Sequence, residues 1–90
     1  PWGSVTLLEK NSGFRVSRFE IYPGSSCPVE EELTGARVIT VTQGAAEVIT
    51  GTDICRIDRG ESLNLPIQDL RKIENPGNEP LVLVMVTVKF

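Results

Sequence analysis

The chain contains no histidine at all. That absence removes every Ser-His and Cys-His catalytic arrangement and deprives any transition-metal site of imidazole nitrogen. Cysteine is scarce as well. Cys27 and Cys55 stand alone without C-x-x-C spacing, which suits buried thiols in a reducing compartment better than a disulfide framework, although the spacing leaves a bond between the two open. No G-x-G-x-x-G or Walker pattern is present, so the sequence offers no nucleotide-phosphate cradle of those kinds. Nine Lys and Arg face twelve Asp and Glu, a net charge of −3, and no basic cluster is long enough to follow a phosphate backbone. Nucleic acid is therefore not an expected partner. The apolar run from Leu81 to Val88 is too short to cross a bilayer and lacks the flanks of a signal segment, so no membrane contact and a cytoplasmic location are expected. A start at Pro1 rather than Met is what a processed chain or a piece of a longer polypeptide would show, so a missing targeting segment carries little weight.

What is present describes one ordinary soluble domain spanning residues 1–90. The 40 % hydrophobic and 23 % charged content excludes disorder, and 90 residues suffice for one modest core. Short apolar stretches alternate with turn residues, and no window of helical length keeps a helical period, so the fold class is all-β. Strands are expected over Val5 to Glu9, Phe14 to Tyr22, Arg37 to Thr42, Ala45 to Thr50, Asp53 to Asp58, Ser62 to Leu65, Leu70 to Glu74 and Leu81 to Phe90. The intervening Asn11-Ser12-Gly13, Pro23-Gly24-Ser25-Ser26, Arg59-Gly60 and Asn75-Pro76-Gly77-Asn78 have turn chemistry, and Gln43-Gly44 and Gly51-Thr52 are short enough to close hairpins.

Two strands break simple alternation. Phe14 and Val16 share one parity while Phe19 and Ile21 share the other, which predicts a bulge near Ser17 and Arg18. The last strand is apolar on nearly every residue, which implies a cover on both faces: the core on one side and a second copy of the chain on the other. A homodimer is the expected assembly. Trp2 is expected to pack on its own domain.

The glycine and proline positions form two frames. In the first, Gly24 is followed by five residues, Glu30, one residue, Glu32, four residues, Arg37, six residues and Gly44. In the second, Gly60 is followed by five residues, Pro66, one residue, Gln68, two residues, Arg71, three residues and Asn75. Fifteen residues separate Gly44 from Gly60. In this spacing the chain resembles the cupins. The Pro1-Trp2-Gly3-Ser4 opening, the segment Arg18 to Gly24 and the tail Glu74-Asn75-Pro76-Gly77 are similar to the C-terminal domain of type II mannose-6-phosphate isomerases, often fused behind a mannose-1-phosphate guanylyltransferase. The resemblance implies a single small antiparallel β-barrel of jelly-roll, double-stranded β-helix type. It also implies a metal held by two His and a Glu of the first frame and a His of the second. Those slots here hold Glu30, Glu32, Arg37 and Arg71, and Gln68 replaces the second-frame Gly. Two guanidiniums repel a cation and no imidazole is available, so no metal and no cofactor is expected.

Glu30 and Glu32, two residues apart, share a face of an extended segment, and on the cupin frame that face and the side chains of Arg37 and Arg71 point into the lumen. The quartet sums to zero charge, as if ion pairs replace a metal centre. Three roles stay open: filling of the barrel mouth; binding of a sugar or sugar phosphate, with Arg37 or Arg71 on an anionic group and Glu30 or Glu32 on hydroxyls; and metal-free aldose-ketose isomerisation or epimerisation, with Glu32 or Glu30 as the proton shuttle beside an Arg. Pairing with Arg lowers a carboxylate's pKa and makes it a poorer base. The run Glu30-Glu31-Glu32 lacks EF-hand spacing and reads as a solvated loop. Cys27, beside that run, reads as inert, and Lys10, Lys72 and Lys89 read as surface solubilisers. The expected role is a non-catalytic, sugar-related binding or assembly module linked, through the resemblance, to nucleotide-sugar and polysaccharide synthesis.

Overall fold

A computed structural model describes residues 1–29 and 35–89. Nine strands are found among them: β1 (Gly3–Lys10), β2 (Phe14–Ile21), β3 (Ser26–Pro28), β4 (Gly35–Gln43), β5 (Ala45–Thr50), β6 (Asp53–Asp58), β7 (Ser62–Pro66), β8 (Leu70–Glu74) and β9 (Leu81–Lys89). A 3-10 turn, Ile67–Asp69, links β7 to β8. The strands form two antiparallel sheets, β1-β2-β9-β4-β7 and β3-β8-β5-β6, that face each other across one core. This is the expected jelly roll, built as two sheets rather than one continuously hydrogen-bonded cylinder. Ile21, Ile39, Val41, Leu81, Leu83 and Met85 from the larger sheet meet Cys27, Ala46, Val48, Ile57, Leu70 and Ile73 from the smaller. Burial of these apolar side chains is the main source of stability.

Several details differ from the sequence reading for local reasons. Gln43-Gly44 does not close a hairpin, because β4 and β5 belong to different sheets; Gly44, at φ +81°, turns the chain across the core instead. Gly51-Thr52 does close one, between β5 and β6. Strand β3 replaces part of the expected Pro23 to Ser26 turn and pairs Ser26, Cys27 and Pro28 with β8. No bulge interrupts β2 against β9: the register runs unbroken from Phe14↔Val88 to Ile21↔Leu81. The irregularity lies in β1 instead, between Leu7 and Glu9 opposite Ser17 and Val16. Arg15, Ser17, Phe19 and Ile21 therefore share the inner face, and Phe14 and Val16 lie on the outer one.

Cys27, Ile73, Val48 and Cys55 lie in one cross-strand row, so three strand spacings, roughly 14 Å at about 4.8 Å each, separate the two thiols. Both cysteines are free, as that separation requires. Burial raises the Cys27 thiol to about 11, which keeps it protonated and unreactive near neutrality.

Asn75 fastens one end of the sandwich. It is 2 % exposed, its Nδ2 donates to the Ile21 and Glu79 carbonyls at 2.9 and 2.8 Å, and its Oδ1 accepts from Gly77 N at 3.0 Å. The Asn-Pro-Gly turn is thus held to the end of β2.

Truncating the fully buried Leu83 to Ala should lower unfolding free energy by about 3 kcal/mol in urea melts, through lost burial plus a cavity. Ile54, 64 % exposed on β6, gives the contrast: Ile54→Ala should cost under about 1 kcal/mol.

Candidate functional site

Five strands facing four leave β1 at the edge of the larger sheet, exposed along nearly its whole length. Val5 and Leu7, on its inner face, are 52 % and 54 % exposed. Beneath this edge lies a cavity of about 420 Å³, lined by Trp2, Val5, Leu7, Lys10, Arg15, Ser17, Phe19, Pro28, Val29, Arg37 and Met85. One wall is apolar and aromatic: Trp2 stacks on Phe19 with ring centroids 6.1 Å apart and planes inclined by 25°. This contact places Trp2 on its own domain, as expected.

The polar part of the cavity comes from strand pairing. Arg37 on β4 is 2 % exposed, and its Nη1 lies 3.9 Å from Met85 Sδ on β9. Register places Thr87 of β9 between Arg37 and Arg15 of β2, and Lys10 of β1 opposite Arg15. Ser17 and Thr87 add buried hydroxyl groups on the same face. Arg15 and Arg37 each engage further groups of the chain.

The four residues singled out by the frames fare differently. Arg37 is in the cavity. Arg71 is not among its described lining residues. Lys72 pairs with Ile49 and Leu70 with Thr50, so Arg71 is the extra residue of a bulge in β8. Its side chain is exposed, and its Nη1 donates to the Gln68 carbonyl at 3.0 Å, back along the turn in which Gln68 stands in place of glycine. Glu30 and Glu32 lie outside the described residues.

Lys10 is not a mere solubiliser, since it lines the cavity, and Arg15 and Ser17 enter the site without having been singled out. The period-two series Arg15, Ser17, Phe19, Ile21 carries that signal in the sequence. A bulge placed in β2 hides it, because it sends Arg15 and Phe19 to opposite faces.

Among the described residues, the metal that the cupin resemblance implies finds no fitting donor set. The chain has no His, the first-frame Glu slot holds the Arg37 guanidinium, and among the described residues no three His, Cys, Asp or Glu side chains gather at metal-ligand distance. A buried fixed cation opposes a second one at close range.

The comparisons agree with this architecture. The chain is 28 % identical over 86 residues to the xanthan biosynthesis protein XanB of Xanthomonas campestris pv. campestris strain B100, covering 96 % of the chain and 18 % of that protein. It is 30 % identical, over the same shares, to a mannose-1-phosphate guanylyltransferase of Escherichia coli K12. The chain thus spans less than a fifth of the length of these curated relatives. Among solved structures, the Cupin_2 domain of an XRE-family transcriptional regulator from Enterobacter cloacae superposes with a TM-score of 0.92 at 11 % identity, over 100 % of this chain and 99 % of that one. The likeness establishes the cupin fold. The model of the mannose-6-phosphate isomerase C-terminal family matches residues 1–89, and the chain belongs to that family.

Proposed function

We propose that this chain is a non-catalytic, metal-free binding or assembly module serving nucleotide-sugar and polysaccharide synthesis, and that its cavity holds a sugar or sugar phosphate. The observation that carries the reading is the composition of the cavity wall. Its described lining supplies Lys10, Arg15 and Arg37, the Ser17 hydroxyl and the Trp2–Phe19 pair, and contains no carboxylate or imidazole. Such a wall can bind an anionic, hydroxyl-rich ring: guanidiniums take the anion and an aromatic face takes the ring's C–H groups. Proton shuttling between carbons needs a base, and the described lining offers none. The names of the relatives support the biosynthetic setting, with xanthan synthesis in one and mannose-1-phosphate guanylyl transfer in another.

The same reading places the domain in the cytoplasm; no helix among the described residues is long and apolar enough to cross a membrane. It also includes a homodimer formed through the outer face of the larger sheet. Phe14 and Val16 of β2, Val84, Val86 and Val88 of β9, and Val38 of β4 are neighbours there, each only partly buried within its own chain. A second copy would complete their burial.

Titration calorimetry with D-mannose 6-phosphate tests the ligand. The wild-type chain should bind it, and Arg37→Gln should weaken binding by about tenfold or more, as expected for losing a charge-assisted contact. Arg71→Ala should leave binding unchanged. Absence of binding, or conversion of the probe to its ketose isomer, would contradict a non-catalytic binding module. For the assembly, light scattering at micromolar concentration should give twice the chain mass, and Val86→Glu should give the chain mass. A monomeric wild type would overturn the dimer.

A further inference from the structure

Four strands lie at the edges of the two sheets, and three of them carry features that keep an edge from pairing with other chains. Strand β3 is three residues long and ends in Pro28, β7 is five residues long and ends in Pro66, and β6 carries exposed Asp53, Arg56 and Asp58. Strand β1 lacks such protection over most of its length. It runs for eight residues without proline and without charge before Glu9, and its one irregularity, the bulge at Leu8, comes after Leu7. Among the described residues five large hydrophobic side chains are exposed, and three of them are Val5, Leu7 and Leu8 of β1. A fourth, Tyr22, follows β2, and its N–H donates to the Trp2 carbonyl at 2.9 Å, just before β1 begins. The apolar exposure of the molecule is therefore concentrated along one strand edge.

The bond from Tyr22 to Trp2 also fixes which backbone groups of β1 are open. Opposed residues of an antiparallel pair alternate between exchanging hydrogen bonds and not, so Ser4 and Thr6 bond to β2, and the N–H and C=O groups of Gly3, Val5 and Leu7 point away from it. No backbone group of the described residues takes these up. Val5 and Leu7 thus offer an unpaired backbone edge together with apolar side chains that line the cavity. Beyond the bulge, Lys10 is exposed and makes no ion pair with the described residues.

We propose that the β1 edge takes up an extended segment of another protein as an added antiparallel strand, with apolar side chains opposite Leu7 and Val5 and, N-terminal to them, a carboxylate that reaches Lys10. Every strand pair among the described residues is antiparallel, and addition in that sense brings the N-terminal end of the segment to Lys10. Residues opposite Val5 and Leu7 share their face, so the added strand lays its two apolar side chains over the cavity. A second copy of this chain fits the edge less well. The antiparallel register that sets Val5 of one copy against Leu7 of the other is centred on Thr6 and puts Lys10 opposite Trp2, which brings it no carboxylate. So short a contact buries little surface, which makes the complex a transient one. Nothing in this pairing depends on whether the cavity holds a sugar.

The hexapeptide acetyl-Glu-Ser-Val-Thr-Val-Thr-amide, titrated into the whole chain and followed by backbone amide shifts and amide hydrogen exchange, tests the edge. It should bind with a Kd between about 10 µM and 1 mM, as expected of a small transient contact. At saturation the Val5 and Leu7 amides should exchange at least several-fold more slowly, while Ser4 and Thr6, already bonded to β2, should not change. N-methylation of both Val residues of the peptide, whose N–H groups face β1, should abolish binding, and N-methylation of both Thr residues should leave it intact. A peptide with Lys in place of its Glu should bind about threefold more weakly, and Lys10→Gln should remove the difference between the two peptides. No binding of the hexapeptide, or equal binding of the two N-methylated forms, would overturn strand addition. Protection of Val5 and Leu7 that rises with the concentration of the chain alone would give the edge to a second copy and overturn it as well.

Discussion

Strand β9 is the constraint on which the rest of the molecule depends. It pairs with β2 along one side and with β4 along the other, so it fixes which residues of two distant segments become neighbours. Its inward Leu81, Leu83 and Met85 fill the core, and the next inward residue, Thr87, sets Arg15 and Arg37 one on either side of it. A slip of one residue on either side would send every inward side chain outward and dissolve both core and cavity together. The continuous apolar character of β9 follows from this position. Its alternate residues serve the core within and the half-buried valine face without.

The unequal sheets complete the site. The larger sheet has one strand more than the smaller, and the cavity lies beneath its β1 edge, between β1 and β2 on one side and Pro28 and Val29 on the other. The apolar rows at the closed end hold the sheets together, and the cations run from the exposed Lys10 through the half-buried Arg15 to the buried Arg37, where engagement with other groups of the chain offsets the cost of burial.

Much of this was legible in the sequence. Period-two apolar stretches and glycine-bearing turns place eight of the strands closely, because each strand has one face in the core and that burial imposes the pattern. The short β3 escaped, since Ser26, Cys27 and Pro28 offer three residues and no alternation. Arg37 was found through the spacing of the first frame. Arg71 sits in a bulge of β8 that depends on pairing with β5, which no local pattern reports. Lys10 and Arg15 were missed for a related reason: their face is set by where the irregularity falls between β1 and β2. Local sequence admits that irregularity in either strand, and only the unbroken pairing of β2 with β9 decides.

The central claim is that Arg37, standing at a slot where the cupin resemblance implies a metal ligand, leaves the chain without a metal centre. The most direct test is metal content per chain by elemental mass spectrometry, on protein purified without chelator or metal-affinity resin and then offered zinc, manganese and iron. The account predicts metal well below one equivalent under every condition. Near-stoichiometric metal would contradict it, because the chain would then have assembled a donor set without imidazole and beside the Arg37 guanidinium.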